Sequence, residues 1–130
     1  MPLVVICSIC SRAKRQDEGL LPARQRYTGS HIGRTEKVAT NQKQPFFILS
    51  GVYGFISADE SIPYYDHLLA TEEVLQLASK IRGQLKECGV RELHFYTKNK
   101  TSWKPYQEAL CLATEALGVS LFVHEMLEDD

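Results

Sequence analysis

Leu3-Val4-Val5-Ile6-Cys7-Ser8-Ile9-Cys10-Ser11-Arg12-Ala13-Lys14 is the stretch that decides the fold. Its first part, Leu3 to Cys7, is a continuous run dominated by β-branched residues, with no polar alternation. Such a run is expected where a strand is buried on both faces, as in the middle of a parallel sheet. Its second part breaks into hydroxyl and cationic side chains. The strand is therefore expected to deliver a polar loop at its carboxyl end. The apolar start has no basic leader and turns quickly polar, so it is read as a strand and not as a secretion signal.

Outward from this strand, the polar stretch from Ser8 to about Gly29 carries Asp17-Glu18-Gly19 and Pro22. It reads as an irregular loop with at most a short helical turn. Loops longer than about 12 residues in compact domains are usually functional or disordered. Ser30 is placed to cap a helix over 31–42. Pro45 to Ser50 reads as a second strand ended by Gly51. The Gly-, Tyr- and Pro-rich segment from Gly51 to Asp66 reads as a shaped loop.

The clearest helix runs from Thr71 to Glu87. Thr71 and Glu73 suit its N-terminus. Val74, Leu75, Leu77, Ala78, Ile81 and Leu85 form its apolar stripe, and Gly89 fits its C-terminal cap. Val90 to Tyr96 is a third strand, Lys104 to Leu117 a further helix stopped by Gly118, and Val119 to His124 the last strand. Strands alternating with helices predict one α/β domain over residues 1–130. It should be a three-layer α/β/α sandwich around a mostly parallel sheet of about four strands, joined by right-handed crossovers. Ligands in such sheets bind beyond the carboxyl ends of the strands. That rule gathers residues 10–14, 50–54 and 97–104 at one crevice.

Composition narrows the function classes. The 130 residues suffice to bury a core without staples. The net charge of −1 gives the whole molecule no electrostatic case for nucleic acid or membrane surfaces. A local basic patch is expected instead, because Arg12, Lys14, Arg15, Arg24, Arg26 and Arg34 crowd the first third. No apolar run approaches the roughly 20 residues of a membrane span, so no membrane partner is expected and the cytoplasm is the expected compartment. The oligomeric state has no signature here.

Cys7 and Cys10 form a C-x-x-C pair. Its sharp readings are half a zinc site or a redox pair. Zinc needs two further ligands, and Cys88 and Cys111 sit apart in helical patterns. A redox pair opens a helix, whereas this one closes a strand. Buried thiols acting as small hydrophobes are the plainer reading, and neither metal nor cofactor is expected.

Three further segments carry candidate chemistry. Cys10, Ser11, Arg12 and Lys14 offer a hydroxyl, backbone amides and cations suited to an anionic or carbonyl-bearing ligand. The glycines of a phosphate-binding loop are missing, and a solvated loop is the bland alternative. Ser50, Tyr53 and Gly54 combine close backbone approach with a planar ring able to stack; a tight turn is the alternative. Tyr65, Asp66 and His67 add a second ring, a carboxylate that accepts from a base or sugar or acts as a general base, and a group titrating near neutral pH. The bland reading of Asp66 is a helix cap. Lys98, Lys100 and Lys104, interleaved with Trp103 and Tyr106, suit phosphate and a stacked base, or simply a solvated helix entry. His31, His94 and His124 are read as structural.

Cys10-Ser11-x-x-Lys14, Pro22-Ala23, Tyr27-Thr28-Gly29, Ile48-Leu49-Ser50, Tyr53-Gly54-Phe55, Pro63 and Tyr65-Asp66 occur in that order. Together they resemble a bacterial and phage domain family that is similar to the peroxide-stress protein YaaA. The resemblance covers about the first half of the chain. Departures are Tyr27 after Arg26 where the family has Leu, Gly51 for Ala, Phe55 for Leu, and the additional Cys7. The resemblance implies an α/β/α domain with the motif residues at one crevice, kinship with domains that handle nucleobases, and a stress-related role.

The leading expectation is a domain binding a nucleotide or nucleobase, extended to cleavage or exchange of an N-glycosidic bond. Ser11, Arg12 and Lys14 would hold phosphate or carbonyl oxygens, Tyr53 or Tyr65 would stack the base, and Asp66 would orient a water or the sugar. Two rival expectations stand beside it. One is a non-catalytic module for a nucleotide or nucleic acid; the other is a thiol redox or metal protein acting through Cys7 and Cys10.

Overall fold

The computed structural model describes residues 3–126. Strand β1 (Leu3–Ile9) lies at the centre of a five-stranded sheet. β3 (Phe46–Ser50) lies on one side of it and β6 (Val90–Thr97) on the other, both parallel to it. β7 (Ser120–Glu125) extends the sheet in parallel beyond β6. β4 (Gly54–Ser57) closes the opposite edge, antiparallel to β3. A separate two-stranded ribbon pairs β2 (Leu21–Pro22) with β5 (Ser61–Ile62). The α/β class and mostly parallel sheet are as expected from sequence, with β4 as the strand that the sequence hides.

The helices are α1 (Ala23–Arg26), α2 (Ser30–Gln42), α3 (Val74–Cys88) and α4 (Lys104–Leu117). The β1–α2–β3 unit steps one way along the sheet and β6–α4–β7 the other. With right-handed crossovers, α2 then covers one face while α3 and α4, which pack on each other, cover the other. This is why β1 needs no polar alternation: Val5, Ile6 and Cys7 are fully buried. Val5, Cys7 and Ile9 share a core with Ile81 and Leu85 of α3 and Leu110 of α4.

Element ends differ from the sequence reading in physical detail. Gly29, not Ser30, is the N-cap of α2. A single 3-10 turn, Thr71–Glu73, leads into α3, and Thr71 is not its cap. There the Glu73 carboxylate reaches back to accept from the N–H of the N-cap residue Ala70 at 2.9 Å. Gly89 and Gly118 end α3 and α4 in the left-handed region, at φ +71° and +69°.

The long loop after β1 is ordered, and the cause is Arg26. Its side chain is fully buried and spends its donors on backbone carbonyls. Nη1 donates to the carbonyls of Arg15 (2.8 Å) and Asp17 (3.0 Å), and Nη2 to that of Gly19 (2.7 Å). Nε and Nη2 both donate to the carbonyl of Ile62, at 3.3 and 3.2 Å. The planar guanidinium with its five donors thus folds the loop around itself. Residues 13–15 run antiparallel to 26–28, through Arg15 N–H to the Arg26 carbonyl and Thr28 N–H to the Ala13 carbonyl.

The expected basic patch is correspondingly dispersed. Arg15 pairs with Asp17, Arg24 pairs with Glu36 and Asp59, and Arg26 is interior.

Candidate ligand-binding crevice

β1 hands its chain to the left of the sheet and β6 hands its chain to the right, so the sheet switches direction between them. A crevice of about 130 Å³ opens beyond their carboxyl ends, where open α/β sheets place ligands. Ile9, Cys10, Ser11, Arg12 and Lys14 enter from the end of β1, and Trp103 and Tyr106 from the β6–α4 side. Tyr65, Asp66, His67 and Leu68 close it from the segment before α3.

The expected site residues therefore divide. Cys10, Ser11, Arg12, Lys14, Tyr65 and Asp66 come together at the crevice. Ser50, Tyr53 and Gly54 do not line it; Ser50 and Tyr53 instead hold Tyr65, which does. The Ser50 hydroxyl oxygen accepts from the N–H groups of Val52 (3.1 Å) and Tyr53 (3.0 Å) and shares a hydrogen bond with the Tyr65 hydroxyl at 2.9 Å. Tyr65 also bonds the hydroxyl of Tyr27, and the Tyr53 ring packs edge-on against it, centroids 5.4 Å apart. Tyr65 is thus fixed from three sides.

Gly54 takes φ +78°, and a Cβ there would lie 2.3 Å from Gln84 Oε1. That oxygen accepts from Phe55 N–H, and Gln84 Nε2 donates to the Tyr53 carbonyl. The glycine is required by this clamp between α3 and the β3–β4 turn.

Ser11 closes the loop. Its hydroxyl donates to the Ala13 carbonyl at 2.6 Å and accepts from Gly29 N–H at 3.2 Å. Lys14 donates to the Arg12 carbonyl and carries its ammonium 4.7 Å above the centroid of Tyr65. Partial burial lowers the Lys14 pKa, while Cys10 and Asp66 work against that and Arg12 with it. Asp66 is exposed and is the sole carboxylate among the lining residues. His67 bonds Glu73 at 2.9 Å.

At the floor, burial pushes the Cys10 thiol up to about 11, despite Gly51 N–H, Lys14 and Tyr106 beside it. Burial raises Cys7 as well, with Cys10 adding to it. Both are thiols, not thiolates, at neutral pH, the reverse of what a nucleophilic cysteine requires. Among the described residues, no group of three or more His, Cys, Asp or Glu gathers as a metal site. Tyr106 also donates structure to the rim, its hydroxyl accepting from Leu69 N–H at 3.1 Å.

His31 lies behind the floor, its Nε2 against the carbonyls of Ile9 (2.9 Å) and Cys10 (3.2 Å) and its ring 5.0 Å from that of Trp103. Burial lowers its pKa. His94 and His124 hydrogen-bond each other on β6 and β7 and do not line the crevice.

Sequence reasoning did not anticipate Tyr27 as the partner of Tyr65, nor His31 as the support of the floor. Both contacts join residues distant in the chain. The one available signal was the spacing of polar aromatic residues in otherwise loop-like stretches.

No family model, no curated protein and no solved structure matches this chain.

Proposed function

We propose that the domain binds a nucleotide or nucleobase in the crevice between the carboxyl ends of β1 and β6. The observation that carries this is the convergence of Arg12, Lys14, Tyr65, Asp66 and Trp103 on one small cavity. Two cations and the loop amides suit carbonyl or phosphate oxygens. A carboxylate suits the amino edge of a base or a sugar hydroxyl. The rings of Tyr65 and Trp103 supply planar apolar surface.

The likeness of the Cys10-Ser11-x-x-Lys14 and Tyr65-Asp66 motifs to YaaA-like domains agrees with this reading. Cleavage of an N-glycosidic bond would fall to Asp66, the carboxylate placed to stabilise oxocarbenium-like charge or orient a water. The buried, raised thiols of Cys7 and Cys10 favour binding over redox chemistry.

The test is a thermal-shift panel of nucleobases, nucleosides, nucleotides and short oligonucleotides, run on the wild type, Arg12→Gln and Asp66→Asn. A ligand at about 100 times its Kd adds roughly 2.7 kcal/mol. At roughly 2–8 °C per kcal/mol this raises Tm by at least about 5 °C. One base class should stabilise the wild type and lose its effect in both variants; a flat panel would sink the proposal. Free base released by the wild type and not by Asp66→Asn would assign cleavage. Binding without release would assign a non-catalytic module.

A further inference from the structure

Trp103 borders a second cavity as well as the first. This cleft, of about 390 Å³, lies between the β6–α4 loop and β7. Among the described residues Lys98, Lys100 and Lys104 line it, together with Glu108 and Glu125. The Lys100 ammonium stands 4.9 Å from the centroid of Trp103, on the wall that the two cavities share. Lys98 is buried to 7% exposure, and its charge reaches His31, the ring that supports the floor of the first crevice. The exposed lysines Lys100 and Lys104 therefore adjoin the candidate base pocket across a single indole.

The sizes matter. A first cavity of about 130 Å³ is below the roughly 300–1,000 Å³ of a site enclosing a whole drug-sized ligand. It fits one end of such a molecule. The second cavity falls inside that range, and lysines are point-charge phosphate binders.

We propose that the Lys98–Lys104 cleft takes the phosphate groups of the ligand whose base enters the first crevice. The substrate class is then a nucleoside phosphate and not a free base. This inference rests on the nucleotide reading above and adds to it the second cavity and the phosphate requirement.

The test is isothermal titration of the full chain at low ionic strength. The probes are the common ribonucleosides, their 5′-triphosphates, inorganic tripolyphosphate and a 5′-phosphorylated oligonucleotide. The variant is the double change Lys100→Gln/Lys104→Gln, both exposed side chains. Lys86→Gln/Arg91→Gln, at the opposite ends of the strands, is the charge-matched control.

The expected result is a triphosphate binding about tenfold or more tighter than its nucleoside, an order of magnitude set by charge-assisted contacts. The cleft variant should erase that ratio, while the control keeps it. The same pattern on the oligonucleotide alone supports the phosphate cleft and identifies a strand end as its source. Equal binding of nucleoside and triphosphate, insensitive to the cleft variant, overturns this inference and leaves the base pocket standing. Tripolyphosphate binding that no base improves overturns the base reading and, with it, the nucleoside phosphate. Silence from every probe overturns both.

Discussion

Replacing Arg26 with methionine keeps most of the buried volume and removes the guanidinium donors around which the loop after β1 folds. The guanidinium bonds the carbonyls of Arg15, Asp17, Gly19 and Ile62. Hydrogen bonds to a charged group are worth about 1.5–3 kcal/mol each, and a stranded buried acceptor costs about 1–3 kcal/mol. The loop residues Arg15, Asp17 and Gly19 are exposed, so water can replace part of what their carbonyls lose. The Ile62 carbonyl, on a buried residue, has less access. A net loss of about 3–5 kcal/mol is expected, a large part of the roughly 5–15 kcal/mol that stabilises a domain.

The assay is urea unfolding followed by circular dichroism, with the slope checked for constancy. Arg26→Lys is the second arm. Its ammonium is a single point that cannot span four carbonyls, so it should fall within about 1–2 kcal/mol of the methionine variant. Hydrogen exchange at the Arg15 and Thr28 amides, which close the loop, should accelerate in both variants. A loss below about 1 kcal/mol for Arg26→Met, with exchange unchanged, would refute the claim that this arginine organises the loop.

Tyr65→Phe removes the hydroxyl shared with Ser50 and Tyr27 and should cost about 1–2 kcal/mol in the same unfolding assay. Gly54→Ala combines a left-handed φ of +78° with overlap on Gln84; a loss of about 2 kcal/mol or more is expected by urea titration. Burial lowers the pKa of His31, and burial together with His94 lowers that of His124. Below the unfolded value near 6.5, the unfolded chain binds protons that the folded chain refuses. Stability should therefore fall as pH drops through that region, by at most about 1.4 kcal/mol per pH unit per histidine, and unfolding at pH 7.5 and 5.5 with and without His31→Asn checks it. Alkylation followed by mass spectrometry should mark the exposed Cys88 before the buried Cys7 and Cys10.

β1 and the two long helices were legible because burial imposes a period on local sequence. Leu3 to Cys7 lacks alternation because both faces are covered, and Val74 to Leu85 repeats at helical spacing because one face is. β4 was not legible. Its first residue, Gly54, follows a three-residue turn in which Gly51 and Tyr53 read as loop, and the side chain that holds Phe55 N–H is Gln84 of a distant helix. The order in the loop from Ser11 to Gly29 was hidden for a different reason. Arg26 binds backbone carbonyls, which every residue carries, so no partner side chain marks the contact in sequence. The crevice itself followed from topology: once β1 and β6 were known to be adjacent and parallel, their carboxyl-end loops had to meet. What topology did not determine was the role of each residue. Ser50 and Gly54 proved to hold Tyr65 and the β3–β4 turn, while Tyr106 joined the lining.

The most direct test of nucleotide or nucleobase binding in the crevice is an amide chemical-shift titration with the nucleosides and nucleotides. Saturable shifts are predicted at residues 10–14 and 65–68, together with the Trp103 indole, for one base class and absent in Asp66→Asn. Shifts elsewhere on the sheet, or none with any base, would contradict it.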